Sequence, residues 1–273
     1  MSKYLYFVTL LFVLSGCGSY EYDNTYTLVS TTNNTSYKIE VVKPTDYDSS
    51  KSYPVVYLLD PYLYIDSLKS IASQYKDENK INDIIIVGID YTDANPNIAR
   101  VNDYYYPSAT AQEIIDAGIT TGGGEKFHTF MKNELIPYIE AKYSCDTTQR
   151  TLMGHSAGGY MPLYSLFVHY KDSTTPFTNF VAASPGIFWA DGYIIGQETL
   201  TSASNSTINA KLYMSYGSLD LGVAISTFYK ALDTNIKAHN YSGLSYQTGY
   251  FERGHASSMV DAMKNSLVMM FGK

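Results

Sequence analysis

Only two cysteines, Cys17 and Cys145, occur in 273 residues, so no disulfide framework can stand in for a hydrophobic core. Charge is scarce as well. Asp, Glu, Lys and Arg make up 16% of the chain, with a balance of −7, which argues against a nucleic-acid partner, since that would call for a basic face. There is no internal repeat. H-E-x-x-H zinc spacing and a Walker A pattern are missing too, and Gly122-Gly123-Gly124-Glu125-Lys126 lacks the spacing of a phosphate loop. Neither a cofactor nor a metal is expected. The longest apolar run, Tyr4 to Leu14, is too short for a comfortable membrane span.

That run follows Lys3 and leads into Leu14-Ser15-Gly16-Cys17, the layout of a secretory signal ending in small residues. The tetrapeptide resembles a bacterial lipobox, which implies a signal peptide over residues 1–16 and lipid on the thiol of Cys17. Gly18 at the next position resembles sequences sorted to the outer membrane in bacteria that have one. An exported lipoprotein of the cell envelope, held to the membrane by acyl chains, is the expectation. Residues 17–35 are polar and read as a tether, which leaves 36–273 as one domain large enough to bury most of its apolar surface.

Within that domain, continuous apolar runs such as Val55 to Leu59 and Ile84 to Ile89 suit strands covered on both faces. Further strands are expected at Tyr37 to Val42, Thr151 to Met153, Phe180 to Ala183, Leu212 to Tyr216 and Tyr246 to Phe251. Helices are expected at Ser67 to Tyr75, Glu125 to Tyr143, Ala157 to Tyr170, Val223 to His239 and Ala256 to Phe271, with Pro137 kinking the second. Strand and helix alternate, as in an α/β fold with a mostly parallel sheet and helices on both faces.

Gly154-His155-Ser156-Ala157-Gly158 lies between a strand and a helix, where a G-x-S-x-G corner lifts a serine clear of the sheet. A serine hydroxyl is a poor nucleophile at neutral pH, so it needs an imidazole to take its proton and a carboxylate to orient that imidazole. In the order serine, acid, histidine, the candidates are Ser156, Asp220 after the strand Leu212 to Tyr216, and His255 before the last helix. Asp191 and Glu252 are rival acids. An oxyanion needs two donors, expected at the backbone N–H of Ala157 and, in the loop Asp60-Pro61-Tyr62 that follows the strand Val55 to Leu59, at that of Tyr62, because Pro61 has none.

These residues resemble the "putative esterase" family of α/β-hydrolases, which includes enterochelin esterases, feruloyl esterases, S-formylglutathione hydrolases and mycolyltransferase antigens. The resemblance rests on Tyr53 to Asp60, Val87-Gly88-Ile89, Arg100 with Asp103-Tyr104, Phe127 with Glu134 to Glu140, Gly154 to Gly159, Ala183-Ser184-Pro185 with Trp189, and His255. It implies an α/β-hydrolase fold and a serine carboxylic ester hydrolase working through an acyl-enzyme on a small-molecule ester. Pro61 stands where the family often has glycine. Arg100 and Asp103 are expected to shape loops and not to perform chemistry.

Export disfavours the cytosolic S-formylglutathione branch, and an acidic chain does not advertise the basic pocket an anionic ferric siderophore would favour. Among 28 tyrosines, Tyr64 and Tyr105 are candidates, with Trp189, to line an aromatic acyl pocket. Acyl transfer to a hydroxyl acceptor is a competing outcome of the same chemistry. A surface lipoprotein that keeps the scaffold as a binding module is the alternative from another class.

Overall fold

The computed structural model describes residues 18–92, 96–110, 118–170, 173–204, 206–219 and 222–273. Its centre is an eight-stranded sheet in the order β1-β2-β4-β3-β5-β6-β7-β8. The strands are β1 (Tyr20–Val29), β2 (Ser36–Pro44), β3 (Tyr53–Leu59), β4 (Ile85–Tyr91), β5 (Cys145–His155), β6 (Asn179–Ala183), β7 (Thr207–Leu219) and β8 (Ser242–Gly254). From β4 through β3 to β8 every pairing is parallel, whereas β2 runs antiparallel to both β1 and β4. This is the α/β-hydrolase architecture.

The helices among the described residues are α1 (Pro61–Asp77), α2 (Pro96–Tyr104), α3 (124–140), α4 (Ala157–His169), α5 (Trp189–Ser204), α6 (Gly222–His239) and α7 (Ser258–Phe271). The α3 segment is composite: Gly124–Phe130 and Ile136–Glu140 are α-helical and flank a π turn at Met131–Leu135. The turn sits just ahead of Pro137, where the Ile136 N–H bonds to the Met131 carbonyl five residues back. Proline lacks an N–H and crowds the carbonyl four residues before it, and the wider π register accommodates both.

Period-two alternation sorts the sheet's side chains into two cores. Val55, Tyr57 and Leu59 face one side, with Phe127, Phe130, Tyr160, Leu163 and Leu232 packed over them. Val56 and Leu58 face the other, under Ile65 and Leu68 of α1 and Met259, Met263 and Leu267 of α7. Burial on both faces explains why these strands are continuous apolar runs. Among the described residues, no helix is long and apolar enough to cross a membrane.

Three expectations change. Residues 17–35 are not all tether, because Tyr20–Val29 forms β1 along β2. Its mixed exposure leaves no apolar stripe to reveal it, but Tyr20 is buried and its hydroxyl accepts the Ile84 N–H. Next, the loop expected at Asp60-Pro61-Tyr62 is already the start of α1, with Pro61 in the first turn, where proline costs no hydrogen bond. Finally, α2 and α5 are helices that the apolar pattern did not mark. Inside α5, Ala190, Asp191 and Gly192 take positive φ and break the helix near its start.

Candidate active site

Ser156 follows the last residue of β5 and immediately precedes α4, with φ 59° and ψ −121°. A non-glycine residue held there costs on the order of 1–3 kcal/mol, which the surroundings must supply. Here they do so through the backbone: the Ser156 N–H bonds to the Ala183 carbonyl at 3.0 Å, and the Ser156 carbonyl accepts the Gly186 N–H at 3.0 Å. The corner is also closed by close approach. A Cβ on Gly154 would lie 2.2 Å from the Gly158 carbonyl oxygen, so β5 and α4 meet at a distance only glycine permits.

The next ring outward comes from the loops at the carboxyl ends of β3, β4, β6 and β8. Asp60 ends β3 in the left-handed region (φ 54°), and no side chain caps the helix it begins. Its carboxylate turns instead to Arg100 on α2, which donates from Nε at 2.8 Å and Nη2 at 2.7 Å. The Asp60 side chain is 1% exposed and that of Arg100 16%, so this is a buried, bidentate pair. One Asp60 oxygen also abuts Gly158, where a Cβ would stand 2.9 Å away. The expectation that Arg100 shapes a loop thus gains a specific form: it locks the corner from which α1 departs.

Asp103, one turn along α2, accepts the Tyr37 hydroxyl at 2.5 Å and the Asn102 amide at 3.1 Å. Burial pushes its carboxyl up to about 6. It ties α2 to β2 and does not face Ser156's corner through any of these contacts.

His255 lies in the turn between β8 and α7, partly exposed. Its ring approaches that of His155, with centroids 4.5 Å apart, which sets it beside the residue immediately preceding Ser156. The structure therefore brings the predicted nucleophile and base to one end of the sheet. Asp220 lies outside the described residues, as does Cys17; β7, which precedes Asp220, runs through Leu219 beside β8. The rival acids Asp191 and Glu252 are both exposed.

At the oxyanion positions, Ala157 is the first residue of α4 and Tyr62 lies in the first turn of α1, and neither helix start carries a side-chain cap. Helix starts present unsatisfied N–H groups and partial positive charge. The Tyr62 ring is exposed and reaches Asn97 of α2 at 3.4 Å.

The three aromatic candidates are buried, each with a small exposed remainder. Tyr64 is buried and its hydroxyl meets His155 Nδ1 at 2.9 Å. Tyr105 and Trp189 are buried and stacked, centroids 4.1 Å apart at 9°, and the indole donates to the Pro107 carbonyl. The Tyr105 hydroxyl presses on Gly186, whose N–H bonds to Ser156. The pair thus backs the corner from below. Apolar groups that do reach solvent at this end are Tyr62, Leu63, Ile98, Phe188 and Leu219. Neither the Asp60–Arg100 lock nor the contacts of His155 is legible in the sequence. Asp60 and Arg100 stand in separate family-like segments with nothing to pair them, and no local pattern marks the contacts of His155.

A family model described as "Putative esterase" matches residues 30–225, well over half of the chain; the match includes Ser156 and Asp220, and His255 lies beyond it. The chain is 32% identical over 193 residues to the ferri-bacillibactin esterase BesA of Bacillus subtilis, covering 66% of this chain and 65% of that protein. To the apo-salmochelin esterase of Escherichia coli it is 24% identical over 154 residues, covering 55% and 47%. The chain thus spans less than two thirds of either relative's length. The BES protein from Bacillus cereus matches with a TM-score of 0.78 at 21% identity, covering 99% of this chain and 98% of that one. The siderophore hydrolase EstA from Aspergillus nidulans matches with a TM-score of 0.74 at 20% identity, covering 92% and 94%. At those identities the structures establish the fold, and the family match goes further: the chain belongs to the "putative esterase" family of α/β-hydrolases.

Proposed function

We propose that this protein is a serine carboxylic ester hydrolase acting through Ser156, His255 and Asp220 on an ester of the siderophore class. The strained Ser156 corner beside His255 is the observation that carries the reading. Ser156 Oγ attacks the ester carbonyl carbon while His255 takes its proton, and the tetrahedral oxyanion forms between the N–H groups of Ala157 and Tyr62. Collapse breaks the bond to the leaving alkoxide, which takes the proton back from His255. Water, deprotonated by the same imidazole, then releases the acid from Ser156. Asp220 holds the imidazole's other N–H and stabilises the imidazolium.

The substrate class comes from the two esterases named above, whose own substrates are ferri-bacillibactin and, by its name, apo-salmochelin. The exposed apolar side chains around the corner suit a bulky ester better than a small hydrophilic one. Purified protein should hydrolyse a siderophore ester with a higher kcat/KM than p-nitrophenyl acetate; preference for the small ester would remove the substrate class while leaving the chemistry. Both metal-loaded and metal-free siderophore belong in that assay.

The signal and Cys17 support a location in the envelope of a bacterium, with the enzyme attached by lipid and facing an extracytoplasmic compartment. Cys17→Ser should move the protein from the membrane fraction to the soluble fraction after cell disruption; retention in the membrane would remove the lipid anchor.

A further inference from the structure

His155 occupies the variable position of the G-x-S-x-G corner and contributes nothing to the chemistry described above. It is nonetheless buried, at 4% exposure, and has a specific partner on each ring nitrogen. Nε2 lies 2.9 Å from the His255 carbonyl oxygen and Nδ1 lies 2.9 Å from the Tyr64 hydroxyl. A carbonyl can only accept, so Nε2 carries the proton. In the neutral ring Nδ1 is then an acceptor, and Tyr64 donates to it. Burial raises the Tyr64 phenol to about 12, so it keeps the proton it donates.

The His255 carbonyl has a second donor in Ser258 Oγ at 2.8 Å, and that hydroxyl lies 3.1 Å from Ser184 Oγ on the loop after β6. Ser184 is anchored in turn through its N–H to the Ser215 carbonyl of β7. One peptide group thus takes donors from β5 and α7, which are themselves held by α1 and by the loop after β6. That group belongs to the turn that carries the base.

We infer that His155 is a positioning residue: it fixes the His255 peptide, and with it the imidazole that serves Ser156, while Tyr64 holds His155 in the donating tautomer. This rests on the reading of His255 as general base. The His155 ring, 4.5 Å from the His255 ring at a tilt of 52°, also walls the imidazole on one side. Two functions follow from one side chain, hydrogen bonding and packing, and they make opposite demands on a replacement. Gln can place an amide N–H near the position of Nε2, whereas Phe keeps the ring and its volume but has no donor.

The test compares His155→Phe, His155→Gln and Tyr64→Phe in the full chain, with turnover counted per active site by stoichiometric phosphonate titration so that misfolded protein drops out. Misplacing a catalytic group by about 1 Å costs on the order of 10²-fold in rate. His155→Phe should therefore lose about that much kcat with little change in KM, and His155→Gln should restore most of it. Tyr64→Phe should lose less, and should add nothing to His155→Phe, because the two act through one bond. If Phe equals or exceeds Gln at position 155, the residue is packing alone and the inference falls. His255→Ala separates the two levels: inactivity there keeps the hydrolase reading whatever position 155 shows, and wild-type turnover would overturn both.

Discussion

Ser156→Ala is expected to lower kcat on ester substrates by on the order of 10⁴-fold or more, leaving fold and substrate affinity nearly intact. The size follows from what is removed. Without Oγ there is no acyl-enzyme, and water must attack directly, aided only by the oxyanion donors and binding. Stability should change little. Ser156 makes no side-chain cap on α4 and is held in a backbone conformation that its own side chain does not require, so removing the hydroxyl relieves no strain and breaks no cap. Steady-state kinetics with the unfolding midpoint measured alongside check both parts. A loss of less than about tenfold would mean that another group is the nucleophile.

The second large effect is on stability. Arg100→Leu removes both donors from the Asp60 carboxylate and leaves a nearly inaccessible charge unpaired. Breaking a buried pair on one side costs about 3–5 kcal/mol, because the remaining ion has lost its solvation and its partner together. The Coulomb attraction alone would not give that figure, since much of it is offset by desolvation in the intact protein. The diagnostic comparison is therefore Arg100→Leu with Asp60→Asn/Arg100→Leu, in which no charge is stranded. Urea unfolding should show the double variant recovering a large part of the loss. Activity should recover less than stability, because Asn keeps the left-handed corner ahead of the Tyr62 N–H but the bidentate clamp that ties α2 to it is gone. A single variant within about 0.5 kcal/mol of the parent would show that water or another group compensates Asp60.

Ser156 and the Asp60–Arg100 pair differ in how plainly the sequence shows them. Ser156 and its corner are written locally: two glycines, a serine and a strand-to-helix switch lie within a few residues, and the steric reason for each is short-range. The central strands are equally plain, because Val55 to Leu59 and Ile85 to Val87 are buried on both faces and so are apolar at every position. His255 follows from chain order once the fold class is known.

What stayed hidden depends on residues distant in sequence. β1 alternates too weakly to announce itself, since it lies at the sheet edge and buries little beyond Tyr20. The helix start at Pro61 looked like a loop because Asp-Pro marks turns as readily as helix N-termini. The Asp60–Arg100 lock spans 40 positions and the His155–His255 bond spans 100. Neither leaves a periodicity. Aromatic composition did not announce the partners of Tyr64, Tyr105 and Trp189 either: each is mostly buried and engaged by neighbours around the corner. Tyr64 is the instructive case, since its hydroxyl finds a buried partner in His155, 91 positions away.

The central claim is that Ser156 is an activated nucleophile served by His255. Incubating the full chain with a fluorophosphonate and mapping the adduct by peptide mass spectrometry tests it whatever the natural ester is. The account predicts one adduct per chain, on Ser156, with the rate of labelling greatly reduced in His255→Ala. Folded protein that takes up no label, or takes it on another residue, would contradict it.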